Sequence, residues 1–365
     1  VGNPVVTVFG LRANYLHLPL VVLLPRIFDG EDVRRMLKAL MLIAPLMALL
    51  AIQQFRAGPD SWWNVGAGGA TGGQIEVTSE KVRASGTFSF VNGIGAYCAL
   101  LAAAVLCGFV EVRRYPRWLV WAALGSLLFT LAVSGSRSAV LGVTVVCGTL
   151  AYMALRKPAR FGALLRVAVV GNLAFILLAK FSQTFTEGVG VHGERFEAGG
   201  GLKEGIFMRF LIEFPQAFET ATRAPLLGYG LGVGTNAGAG LLSGVRGFLL
   251  AESEWSRVMA ELGWIFGSLF IALRIGYMVV MWRGAEKALG AGLPAAMLLF
   301  GAGSLLMLVG QFGQPTALGF GVLVGGLCLA ACRDSEIDPP DPEAPPPASA
   351  PPPGRAVYAD RLRRG

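Results

Sequence analysis

The sequence predicts an all-α polytopic membrane protein, and three observations predict it. Hydrophobic residues make up 54% of the 365 and charged residues only 15%, with a mean hydropathy of +0.59, a composition that excludes an ordinary soluble domain of this size. Apolar windows long enough to span a bilayer recur along the chain. Lys and Arg gather in every second connection between them, as the positive-inside bias requires.

About nine windows of spanning length are expected, near residues 9–26, 37–55, 89–110, 118–135, 139–155, 161–180, 257–282, 291–311 and 316–332. The first is the weakest, because it carries Arg12, His17, Pro19 and Pro25. Glycines inside spans, such as Gly301, Gly303, Gly319, Gly321, Gly325 and Gly326, are expected to let helices approach closely. The basic connections hold Arg26, Arg34, Arg35 and Lys38; then Arg113, Arg114 and Arg117; then Arg156, Lys157 and Arg160; then Arg283 and Lys287. These are the expected cytoplasmic loops, which leaves 56–88, 134–138, 181–256 and 312–315 on the outer face.

Residues 1–333 form the membrane domain, and from Asp334 the composition turns proline-rich. Such a tail buries too little apolar surface to fold and is expected to be disordered in the cytoplasm. The net charge of +8 follows from the loop asymmetry and fits contact with anionic lipids, so nucleic acid is not an expected partner. The five cysteines, Cys98, Cys107, Cys147, Cys328 and Cys332, all fall in spans and have no metal-ligand or disulfide pattern. His17 lies in a span and His192 in a Gly-rich stretch expected to be flexible, so neither suggests a metal site.

The chemistry-bearing residues cluster in the outer loops. Arg83 precedes a span, Arg137 sits in the tight turn Ser134-Gly-Ser-Arg-Ser138, and the long loop contributes Arg209, Arg223 and Glu252. Each has a structural reading. Arg83 as a snorkelling helix end, Arg137 as a cap on the preceding span's carbonyls and Arg209 as the partner of Glu213 are each at least as expected as a binding role. Their joint placement against the positive-inside bias favours a multivalent anion, since guanidinium forks match phosphate oxygens. Glu254 is spaced to pair with Arg257, so these two are weaker site candidates and their bridge is expected to be exposed. Glu252 points elsewhere on a helix; a general base and a helix-dipole charge are equal readings of it.

In order along the chain, Arg-Ala-Ser-Gly-Thr-Phe, Ser-Gly-Ser-Arg-Ser-Ala, the arginine before Ala-Pro-Leu-Leu-Gly-Tyr-Gly-Leu-Gly, and the Glu-rich helix start ending Glu-Leu-Gly resemble the O-antigen ligase and Wzy-type polymerase superfamily. The resemblance spans roughly residues 10–330 in order and topology. It implies a fold like that of the C-type glycosyltransferases and an inverting, metal-independent transfer of glycan from undecaprenyl diphosphate, without a cofactor, outside a bacterial inner membrane. It makes Arg83, Arg137 and Arg209 the expected diphosphate ligands and Glu252 the expected base, with a glycan acceptor and other polysaccharide-assembly proteins as partners. Ligases of this family carry a histidine eleven residues before the glycine of Glu-Leu-Gly, where this chain has Glu252, which leans the expectation towards exopolysaccharide or O-antigen polymerases. Members have more spans than the nine read here, so further spans are expected upstream of Val1. A ligase acting on lipid A core, and a transporter of a small anion or lipid-linked glycan, are the alternatives. The enzyme is preferred over the transporter because the charged candidates sit at one surface, with Arg166, Asn172 and Arg274 as midspan exceptions.

Overall fold

The computed structural model describes residues 3–65, 76–78, 81–89, 91–158, 161–198, 209–244, 249–251 and 253–337. Glu252 and residues 338–365 therefore lie outside the described residues, whereas residues 334–337, expected in the disordered tail, continue the last helix. The described residues are helical nearly throughout. Helices α1 (Pro4–Leu11) and α2 (Leu20–Ile27) flank a π-helical turn, Arg12–Leu16, and α3 (Gly30–Arg56) follows. A two-stranded hairpin, β1 (Glu76–Thr78) and β2 (Lys81–Val82), precedes α4 (Val91–Val110), α5 (Arg117–Ser134) and α6 (Arg137–Arg156). Then come α7 (Phe161–Phe181), α8 (Gln183–Ala198), α9 (Arg209–Arg223) and α10 (Asn236–Ser243), and finally α11 (Glu254–Gly290), α12 (Ala295–Val309) and α13 (Pro315–Ile337). Among the described residues, seven helices are long and apolar enough to cross a membrane. The first window is a broken span, α1 with its π-turn meeting α2 at 48°, next to Pro19, whose ring cannot donate into a continuous helix. α12 is apolar but short, at 15 residues.

Small residues decide which helix is central. In α4 every residue but Asn92, Phe109 and Val110 is buried, and its glycine and alanine stripe admits neighbouring backbones. A methyl added to Gly95 would lie 3.6 Å from Ala139 of α6, and one added to Gly142 of α6 would lie 3.2 Å from Ala99, the close approach small residues allow. Gly301, Gly303, Gly321, Gly325 and Gly326 also lie against neighbouring residues, whereas Gly319 faces open space. By contrast, α7 buries only Ala163, and its outward apolar face suits lipid.

Contacts at the element ends bring basic connections together. Lys38 lies over the Tyr115 ring at 5.7 Å, Arg156 pairs with Glu286 at 2.9 Å, Lys157 donates to the Gly290 carbonyl at 2.8 Å, and Arg333 donates to the Pro25 carbonyl. These contacts join basic connections only to one another. At the opposite end Gln54 bonds Gly86, Lys81 bonds Glu187, and Asn92 bonds Gln311 and Gln314.

α11 departs from the expected seventh span. Gly263 has φ 69° and ψ −171°, a conformation open to glycine alone at low cost. Twenty residues of straight helix would separate Glu254 from Arg274 by about 30 Å, yet their side chains meet at 2.8 Å. A methyl on Gly267 would also touch Met259. The arm Glu254–Leu262 therefore folds back along the arm after Gly263, and the spanning stretch starts at Trp264 rather than at 257. All of residues 254–263 are buried, so the backbone at the break is shielded by protein. Two carbonyls and one amide freed by the break are taken up by the glycine-rich loop. Tyr229 N donates to Ala260 O at 2.8 Å, Gly230 N to Glu261 O at 3.1 Å, and Trp264 N to Leu226 O at 3.1 Å. Gly228 (φ 73°) lies so close that a Cβ would sit 2.3 Å from Glu261 O.

The described residues after α7 are also more helical than the sequence suggests. His192 lies within α8 rather than in a flexible stretch, and α9 packs on α11 through Ala217 and Ala221 against Trp255 and Met259.

Candidate functional site: an arginine cluster at the α5–α6 turn

The turn between α5 and α6 concentrates cations. α5 ends at Ser134, and Gly135 turns the chain in the left-handed region at φ 53°. Ser136 then caps α6, its hydroxyl accepting from Ala139 N at 3.3 Å. Three carbonyls at the end of α5 find partners from other segments. Ala84 N donates to Val133 O at 3.3 Å, His192 Nε2 donates to Leu131 O at 2.9 Å, and Arg195 donates to Gly135 O. Positive groups suit these positions because the C-terminal end of a helix carries partial negative charge.

Arg137 itself is the first residue of α6, where the helix dipole disfavours a cation and favours an anion. The expected cap on α5 is thus made by Arg195, and Arg137 stands beside it. Arg83, on the segment entering α4, completes the group. Its Nε is buried without a hydrogen-bond partner. Burial, then the neighbouring Arg195 and Arg137, push its guanidinium down to about 10; Arg195 is lowered by burial and by Arg137. His192, 9% exposed, is lowered by burial, against its bond to Leu131, and further by Arg195 and Arg83, so its neutral form is favoured. Three like charges in one half-buried place repel one another, and a multivalent anion would relieve that repulsion.

The other candidates divide. Arg209 opens α9, and its side chain lies outside the described residues. Arg223 is exposed and bonds Glu219 one turn back at 2.5 Å. Glu254 does pair with Arg257, at 2.9 Å, but both side chains are almost fully buried, correcting the expected exposed bridge. Arg257 also reaches Glu261 at 2.7 Å and Asn14 at 3.0 Å. Arg274 adds a second cation to Glu254 and donates to the carbonyls of Leu306, Met307 and Gly310. Two acids and two arginines balance, so the buried quartet is internally neutral, the condition that makes burying charge tolerable. Of the midspan exceptions, Arg166 is exposed and bonds Gly162 O, and Asn172 is exposed as well.

No protein-family model, curated protein or solved structure matches this chain. Arg195 was missed and His192 set aside because their stretch reads as glycine-rich; their three-residue spacing puts both on one face of a helix but does not place that face against α5. The glycine loop, with Gly228, Gly230 and Gly232 all at positive φ, is no phosphate cradle. The amides of residues 228–230 and 233–235 are already engaged, Gly234 N with Glu261 Oε1 at 2.7 Å and the others with carbonyls.

Proposed function

We propose that this protein is a polysaccharide polymerase that transfers glycan from undecaprenyl diphosphate to a sugar hydroxyl on the outer face of a bacterial inner membrane, in exopolysaccharide or O-antigen assembly. The observation that carries the reading is the cluster of Arg83, Arg137 and Arg195 at the α5–α6 turn, with the buried Arg83 Nε lacking an acceptor. Cleaving a sugar–diphosphate bond builds negative charge on the departing group. Fixed guanidinium groups stabilise that charge as it forms, and in this reading they take the place of a metal in a fold like that of the C-type glycosyltransferases. Arg209 is the remaining proposed diphosphate ligand. Glu252 is the proposed base, taking the proton of the acceptor hydroxyl as it attacks the anomeric carbon. Its place where ligases carry histidine favours a polymerase over a ligase.

A transporter of a lipid-linked glycan or small anion is the second reading, and the broken α11 with its buried quartet favours it, since transporters place charged groups at interrupted helices. Proteoliposomes supplied with undecaprenyl-linked glycan separate the two. Polymerase activity lengthens the glycan, and Arg83→Ala or Arg137→Ala should each reduce product by about a hundred- to a thousandfold, the usual cost of a lost charge-stabilising donor. Movement of unextended donor across the bilayer, unaffected by either variant, would establish the transporter instead.

A further inference from the structure

The proposed reading uses arginines; His192 is left over, and its geometry is unusual. The ring is fixed by the Nε2 bond to Leu131 O at 2.9 Å, and a carbonyl can only accept, so Nε2 carries a proton. Nδ1 is buried and has no partner. The ring therefore presents an unused nitrogen within the same group of side chains that leaves Arg83 Nε unused. The charged side chains acting on His192 are Arg195 on its own helix and Arg83 on the segment before α4, with Arg137 acting on both.

A second proton on Nδ1 would turn that nitrogen into a donor with nothing among the described residues to accept from it, beside cations that oppose the added charge. A phosphate oxygen changes both conditions, since it accepts from Nδ1–H and cancels part of the arginine field. Resting on the diphosphate reading above, we infer that His192 is a further ligand of the anion and takes up a proton as the anion arrives, binding it as an imidazolium. The proton moves from solvent to Nδ1, and no bond to the anion is made beyond the hydrogen bond. Burial and the arginines by themselves favour the neutral ring. By linkage, whatever raises its proton affinity is itself bound more tightly as pH falls.

The probe is sulfate, which stays a dianion across the range in which histidine titrates, so its own ionisation adds no slope. Full-length protein in lipid nanodiscs should bind it more tightly as pH falls from about 8 to 5.5, by up to about tenfold per pH unit, the slope of one proton taken up. Calorimetry of the unmodified protein in buffers of different ionisation enthalpy should register that proton directly. His192→Gln keeps a donor for Leu131 O and should bind sulfate with a flat pH profile. Equal slopes in both proteins, or no proton uptake in the unmodified one, would overturn the inference while leaving the arginine site standing. No sulfate or inorganic pyrophosphate binding at any pH would remove the anion site and this inference with it. Competition by polyprenyl diphosphate identifies the donor as the natural occupant, whereas competition by phosphatidylglycerol alone would assign the site to a lipid headgroup and overturn the donor reading.

Discussion

Glu254 holds Arg257, Arg274 and the Phe312 amide with two oxygens at 2.8–3.1 Å, and is 1% exposed. Removing its charge leaves two buried guanidinium groups short of a counter-ion, a loss that typically costs about 3–5 kcal/mol. Glu254→Gln should therefore lower the thermal unfolding midpoint of the detergent-purified protein and its yield, measured by fluorescence-detected size exclusion. An unchanged midpoint would mean that the quartet is not what fixes the folded-back arm. Part of this was legible: the three-residue spacing gave the Glu254–Arg257 pair, and Arg274 stood out as a charge inside an apolar window. Their union was not legible, because it depends on a reversal at Gly263 that brings together residues twenty positions apart. Glu261, which joins the quartet at 2.7 Å from Arg257, had the helical spacing to be found from Arg257.

At the scale of the element, α11 shows what hydropathy does not record. An apolar window reports length and polarity but not direction, so the seventh span was read as continuous from 257. The 37 residues of α11 would make a straight helix of about 55 Å, far beyond a hydrocarbon core of about 30 Å, but the expected window of 257–282 was too short to show it. The reversal requires glycine at one position and not at another on the same helix. A Cβ on Gly263 would sit 2.1 Å from Leu226 O at a φ of 69°, whereas Gly276 has open space around it. Gly263→Ala should separate the glycine loop from the folded-back arm and abolish recovery of monodisperse protein. Gly276→Ala should be neutral or stabilising by up to about 1 kcal/mol, since alanine is the better helix former. Comparable behaviour of the two variants on size exclusion would contradict the tight reversal.

At the scale of the whole molecule, the spans and their alternation were legible because apolar length and loop charge are local properties of the sequence. Seven of the nine expected windows appear as long apolar helices, with α1–α2 as a broken span and α12 as a short helix. The arginine site was legible only in part. Arg83 and Arg137 stood out as cations in loops where the topology disfavours them, but Arg195 and His192 reach the site only through the packing of α8 on α5, which no local pattern encodes. On the proposed function, the diphosphate of a lipid-linked glycan sits at the α5–α6 turn. The most direct measurement is photo-crosslinking of an undecaprenyl diphosphate analogue carrying its reactive group next to the phosphates, followed by peptide mapping. Crosslinks should fall on the segments bearing Arg83, Arg137 and Arg195, be suppressed by inorganic pyrophosphate, and weaken in Arg83→Ala. Pyrophosphate-sensitive crosslinks confined to the segments of Asn14, Arg257 and Arg274, with none at the turn, would contradict the claim.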